Sequence, residues 1–323
     1  MSIISRRALL AAPAILAAVP AAAQGWQPTQ PVRLINAFPP GGSPDVLARA
    51  MAPHVQAALG QPMVIENRAG AGGVIGARAA TQLPADGHGV FLAAISALLQ
   101  VYMNPAAGYR LEDFRPVTLL SVTPLVLVVR EGFPARTVQE WHDVVRANPD
   151  RFTYATAGTG TPHHMAGELY MQTSGAVIRQ VAYRGTAPAL TDIRAGAVDM
   201  MFADFGGAAG LIQQGALTPL AVTTGRRVPT LPNLPMMAET VAPGFEAYSW
   251  LQWWVPRATP DAAVARLNEV AVAALRQPDV VARGDASGFL MEGTDVARAD
   301  AFTRAEAEKW SRLIRERNLQ ATS

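Results

Sequence analysis

The chain has 323 residues, with 27 Lys/Arg, 25 Asp/Glu and no cysteine. Lacking cysteine, it can form no disulfide, thiolate nucleophile, cysteine metal site or lipid-modified N-terminal Cys. The excess of two positive charges equals Arg6 and Arg7, the only charges in the first 23 residues, so the remainder is balanced and offers nucleic acid no basic cluster.

Residues 1–23 read as a cleaved secretory leader. Arg6 and Arg7 precede an apolar run from Ala8 to Val19, and Ala21-Ala22-Ala23 supplies a cleavage site before Gln24. The run is interrupted by Pro13 and followed by Pro20, and it falls short of the ~20 residues that span a bilayer. Ser5-Arg6-Arg7-Ala8-Leu9-Leu10 is also similar to a twin-arginine signal, which leaves Sec and twin-arginine export both open. Residues 24–323 are long for one core and comfortable for two domains.

From Val32 the pattern predicts a strand to Phe38, a helix over Pro44–Leu59, a strand over Met63–Glu66, a helix over Gly73–Gln82 and a strand over Val90–Ala94. This β-α-β-α rhythm predicts a parallel sheet with helices on both faces. Pro53 is expected to kink or shorten the first helix. The rhythm restarts with strands at Leu125–Val129, Thr153–Thr156, Arg179–Tyr183, Val198–Ala203 and Leu217–Thr223. The helices between them are predicted at Val138–Ala147, Pro162–Thr173 and Pro188–Ala195. A Pro-rich passage from Arg227 to Pro243 reads as irregular. The apolar run Trp250–Pro256 is suited to return the chain to the first domain. Near the end, Phe302, Ala305, Trp310, Leu313 and Ile314 form a helix-spaced stripe, read as core packing.

Two strand–loop–helix junctions stand out. In Phe38-Pro39-Pro40-Gly41-Gly42-Ser43-Pro44-Asp45 the glycines allow a tight turn, Ser43 suits the N-cap and Pro44 the first helical position. Ala157-Gly158-Thr159-Gly160-Thr161-Pro162-His163-His164 repeats the arrangement, and Gly185-Thr186-Ala187-Pro188 is a weaker version. Such loops direct backbone N–H groups and a helix dipole outward, an anion site that needs no basic side chain. The backbone N–H groups at Gly41-Gly42-Ser43 and Gly160-Thr161 are the expected carboxylate contacts. Taken singly, each junction is also ordinary helix-start chemistry.

Other constellations carry less. In the cluster Gly70–Gly76, Ile75 occupies the third glycine position of a dinucleotide fingerprint, and no phosphate-binding lysine loop exists because Lys309 is the only lysine. No G-x-S-x-G nucleophile elbow occurs. His163 and His164 are adjacent and diverge on a helix, a poor metal pair; His164 is either a ligand donor or a structural hydrogen-bonder. Asp45 and Asp204 would make an acid/base pair if the domains brought them together. Asp45 equally suits a helix-start carboxylate. Asp204 would repel an anion unless the ligand also carries an ammonium group. Neither a cofactor nor a metal is expected.

Phe-Pro-Pro-Gly-Gly-Ser-x-Asp at 38–45, Glu-Asn-Arg-x-Gly-Ala-Gly-Gly-x-x-Gly at 66–76 and Tyr-Arg-Gly-Thr-Ala-Pro-Ala-Leu-Thr-Asp at 183–192 together resemble the Bug family, periplasmic receptors of tripartite tricarboxylate transporters. Asp113–Val117, Thr161–His164 and Leu231–Pro235 match as well, so the likeness covers essentially all of 24–323. The resemblance implies an α/β, two-domain type II periplasmic binding protein fold with a ligand cleft between the domains. It places residues 24–124 plus 250–323 in one domain and 125–249 in the other, with Trp250–Pro256 as the returning crossover. It implies a periplasmic, monomeric, non-enzymatic receptor that passes a small carboxylate or amino acid to membrane transporter subunits. By motif position Phe38, Gly41, Gly42, Ser43, Asp45 and Ser96, in the loop after the third strand, would form one wall of the cleft. Thr156, Gly160, Thr161, His164, Gly185, Thr186 and Asp204 would form the other. The alternatives are a receptor that reports its ligand to a signalling partner, and a secreted acid/base enzyme using Asp45 and Asp204.

Overall fold

The computed structural model describes residues 25–320; the leader assigned to 1–23 lies outside the described residues. The chain runs through β1 (Val32–Asn36), α1 (Ser43–Leu59), β2 (Met63–Asn67), α2 (Val74–Thr81), β3 (Gly89–Ala94), α3 (Ile95–Met103) and the 17-residue β4 (Phe114–Arg130). It continues through α4 (Val138–Ala147), β5 (Thr153–Thr156), α5 (Pro162–Ser174), β6 (Arg179–Ala182), α6 (Thr186–Arg194), β7 (Met200–Asp204), α7 (Phe205–Gln213) and β8 (Leu217–Val222). After a short α8 (Met237–Thr240) come β9 (Tyr248–Pro256), α9 (Asp261–Leu275), α10 (Pro278–Ala286), β10 (Leu290–Met291) and α11 (Val296–Glu316).

The strands lie in the order β2-β1-β3-β9-β4-β7-β5-β6, with β8 and β10 also paired to β4. The outer strands are parallel as expected: β1 with β2 and β3, and β5 with β6 and β7. The middle is not. β9 runs antiparallel to both β3 and β4, and β4 antiparallel to β7 and β8. A fully parallel sheet is therefore corrected to a mixed one, because the outgoing β4 and the returning β9 cross the molecule side by side in opposite directions.

β4 also starts earlier than the expected strand at Leu125. Its Phe114–Pro124 half pairs with β9, and its Leu125–Arg130 half pairs with β7 and β8. Pro124 sits where the partners change, a position at which a missing N–H costs little. α1 runs through Pro53 to the left-handed Gly60, so the proline does not shorten it. Burial of Leu47, Met51, Val55 and Leu59 outweighs the one backbone bond that the proline removes.

α3 and α7 were not expected. α3 (ISALLQVYM) is short, apolar nearly all round and continuous with the strand before it, and the glycines of α7 disguise that helix. On α11, Trp310, Leu313 and Ile314 are buried, but Ala305 is exposed and Glu306 is buried in its place. The indole N–H groups of Trp250 and Trp310 both donate to Glu306 Oε2, at 3.0 and 2.9 Å, which ties α11 to β9.

Candidate functional site

A cleft of about 670 Å³ opens where the two halves of the sheet meet. Six helices present N-cap or first-turn residues to it: Ser43 and Pro44 of α1, Gly73 of α2, Ile95 and Ser96 of α3, Thr161 to His163 of α5, Thr186 of α6, and Asp204, Gly206 and Gly207 of α7. Each helix start carries roughly half a positive charge on its free N–H groups. No Lys or Arg is among the lining residues; Asp204 and His163 are the ionisable groups there. The electrostatics of the cleft therefore come from backbone dipoles, offset by one carboxylate. Phe38, Leu251 and Phe289 add apolar wall, while Thr123 and Ser249, on the crossing strands, add hydroxyls.

Phe38, Ser43, Ser96, Thr161, Thr186 and Asp204 all line this cleft. Ser96 lies within α3 rather than in a loop, and Ser43 is the first helical residue, with Gly42 at the N-cap. Gly41, Gly42, Asp45, Thr156, Gly160, His164 and Gly185 stand behind the lining. Their roles follow from their bonds.

Asp45 is buried and accepts from Gly41 N–H (2.9 Å), Asn67 Nδ2 (2.8 Å), Arg49 Nε (2.8 Å) and, more weakly, Asn36 Nδ2 (3.3 Å). Burial alone would raise its pKa, but the hydrogen bonds from Arg49, Asn67 and Gly41 prevail and bring it to about 2. Asp45 thus clamps the 38–42 loop onto α1. It does not face the cleft, which removes it from an acid/base pair with Asp204. The Gly42 N–H is likewise turned inward, to Pro39 O at 3.4 Å.

The second loop is held in a parallel way. Thr161 Oγ1 donates to Gly158 O (2.6 Å), Thr156 Oγ1 accepts Gly158 N–H (3.3 Å), and Gly160 N–H donates to His164 Nδ1 (3.3 Å). The N–H groups of Gly41, Gly42 and Gly160, expected to meet the ligand, are therefore already engaged. Burial lowers the His164 pKa, keeping the imidazole neutral as acceptance at Nδ1 requires; Glu168 opposes this and Arg317 assists it. Gly185, at φ +116°, caps α6 behind Thr186.

His163, rather than its neighbour, reaches the lining, with Nε2 2.9 Å from Asp204 Oδ2. Two adjacent histidines at a helix start point about 100° apart, so one must face the core, and the sequence does not say which. The Gly70–Gly73 loop fails as a nucleotide motif, yet it lines the cleft with the same strand–glycine–helix logic as the junctions at 38–45 and 157–164.

Two α/β lobes joined by antiparallel crossing strands, with helix starts converging on the cleft between them, define a type II-like periplasmic binding protein. Residues 47–319 match the tripartite tricarboxylate transporter family receptor. BugT from Bordetella pertussis is 34% identical over 292 residues, covering 90% of each chain. Among solved structures, R. palustris Rpa4515 with adipate aligns at TM-score 0.78 and 30% identity, covering 91% of this chain and 99% of that one. MatC from Rhodopseudomonas palustris with bound malate aligns at 0.74 and 29%, covering 89% and 99%. The chain belongs to the tripartite tricarboxylate transporter receptor family, the Bug receptors, which are solute-binding proteins and not enzymes.

Proposed function

We propose that this receptor works in the periplasm, captures a small carboxylate between its lobes and delivers it to the membrane subunits of a tripartite transporter. The observation that carries the reading is the convergence of six helix starts on a cleft with no cationic side chain. Such a site stabilises an anion through fixed dipoles and backbone donors. Adipate in Rpa4515 and malate in MatC are consistent with a carboxylate class for this chain too. No described helix is long and apolar enough to cross a membrane.

The ligand would contact Phe38, Ser43, Ser96, Thr161, Thr186 and Asp204 directly, with Asp45, Thr156 and His164 shaping the loops behind. The moving bodies would be 25–124 with 250–320, and 125–249. The change of β4 partners between Pro124 and Leu125 supports that division, and one hinge would lie there.

Thermal melts with adipate, malate, aspartate, 2-aminoadipate and glucose test the reading. A ligand at about 100 times its Kd adds about 2.7 kcal/mol, a readily visible shift. Stabilisation by at least one carboxylate, plain or amino, but not by glucose is expected. Stabilisation by glucose alone would overturn the carboxylate reading.

A further inference from the structure

We propose that Asp204, positioned by His163, makes this cleft select carboxylates that also carry a protonated amine, so that the solute is an amino acid rather than a plain dicarboxylate. The inference rests on the carboxylate reading above and deepens it.

Asp204 occupies the N-cap position of α7, where a carboxylate would normally accept a hydrogen bond from the first helical turn. It makes no such bond. Its side chain turns instead toward His163 and the cleft, where it remains one-third exposed. Oδ2 is engaged by His163 Nε2 at 2.9 Å, and among the described residues Oδ1 accepts from no donor. A carboxylate held for helix capping alone would not be arranged in this way.

His163 is almost fully buried, and its Nδ1 has no hydrogen-bond partner. A buried imidazole with one nitrogen committed to Asp204 fixes that carboxylate's rotamer; His163 acts through Asp204 and is a positioning residue. No Lys or Arg lines the cleft to neutralise Asp204. A plain dicarboxylate would therefore bring negative charge close to a carboxylate that no Lys or Arg of the lining offsets. A ligand with an ammonium group supplies the missing cation and donates to Oδ1, a charge-assisted hydrogen bond.

The opposite wall suits the other end of such a ligand. Ser43 and Ser96 place hydroxyls and helix starts on the first lobe, with no acidic group among the lining residues there. The cleft is thus polarised: carboxylate toward α1 and α3, ammonium toward Asp204.

Calorimetric titration of the full chain near neutral pH with matched acids decides the point: succinate against aspartate, adipate against 2-aminoadipate, and 3-phenylpropionate against phenylalanine. In the pair that binds most tightly, the amino member should bind at least about tenfold better, the scale of one charge-assisted hydrogen bond. Asp204→Asn should bring the two members to within about threefold. His163→Gln, whose amide can still donate to Asp204, should keep most of the preference, and His163→Ala should lose it. These ratios would not move if the pair were merely structural. A plain acid that binds as well as its amino partner in the unaltered chain overturns the proposal without any variant, and leaves the carboxylate reading standing. So does a preference that survives Asp204→Asn. If glucose binds and none of the six acids does, both readings fall.

Discussion

The Asp45 carboxylate accepts the Gly41 N–H at 2.9 Å, from inside the turn that the same helix begins. A chain segment that borders the cleft is thereby held by a residue that never reaches it. Asp45→Ala would leave the Gly41 N–H without its acceptor and Asn67 Nδ2 with only Phe38 O, and should destabilise the protein by about 2–3 kcal/mol and weaken ligand binding together. The pH dependence follows from the same bonds. The folded-state pKa, about 2, lies below the ordinary 3.8, so the stabilisation is complete above about pH 4 and is lost as pH falls toward 2. It amounts to about 2 kcal/mol. Urea melts from neutral to acid pH should show this step in the native chain and not in Asp45→Asn.

Gly206 lies at a close backbone contact between α7 and the turn after α10. A Cβ at Gly206 would lie 2.9 Å from Ser287 O, and one at Gly288 would lie 3.1 Å from the Gly206 nitrogen, so α7 and the turn after α10 meet backbone to backbone. Gly206→Ala should hold this contact open and lower ligand affinity by roughly tenfold. The unliganded melting temperature should fall by the cost of moving that backbone, offset in part by the roughly 1 kcal/mol that alanine gains as a helix former. Melts with and without the tightest-binding carboxylate separate the two effects.

Glu306 gives the contrasting case. It is buried far along α11, where Trp250 and Trp310 donate to it and Lys309 pairs with it. Glu306→Leu would strand two buried indole donors and should destabilise by about 2–4 kcal/mol. Ligand affinity, corrected for the folded fraction, should stay the same. Loss of affinity in the folded fraction would mean that α11 influences the cleft.

Much of the architecture was legible because Pro44, Pro162 and the glycines before them mark where strands hand over to helices. The starts of α3 and α7 carry no such punctuation: Ala94-Ile95-Ser96 looks like a strand running on, and Asp204-Phe205-Gly206-Gly207 looks like a strand end followed by loop. Both line the cleft, so two of its six helix starts stayed hidden. The loop glycines misled in another way. Gly41 and Gly160 do make tight turns, at φ +80° and +75°, but their N–H groups turn to Asp45 and His164. Composition shows that a turn exists, whereas the direction of each N–H depends on a partner four residues ahead.

That partner in the second lobe leads outward to the end of the chain. His164 Nε2 lies 3.7 Å from Glu168 Oε1, and Glu168 Oε2 accepts Arg317 Nε at 2.8 Å. Residues just beyond α11, a helix packed on the first lobe, thus reach α5 and, through two side chains, the loop that borders the cleft. Arg317 is partly exposed, so the pair is partly screened, but Glu168 is buried and Tyr154 O–H is its other, longer donor. Arg317→Ala should therefore destabilise by about 1–2 kcal/mol. It should also change how His164 titrates. Burial holds the His164 pKa low, Arg317 helps lower it and Glu168 opposes both, so losing Arg317 should raise it. The linkage sign follows. A folded pKa below the ordinary 6.5 means that stability is full above that pH and declines as acid protonates the unfolded chain first. In Arg317→Ala that acid decline should shrink, while protonated His164 can no longer accept the Gly160 N–H and the cleft loop loosens. Histidine NMR titration of the native chain and Arg317→Ala, read beside ligand affinity across the same pH range, checks both halves; an unmoved His164 would show that Arg317 acts on α5 alone.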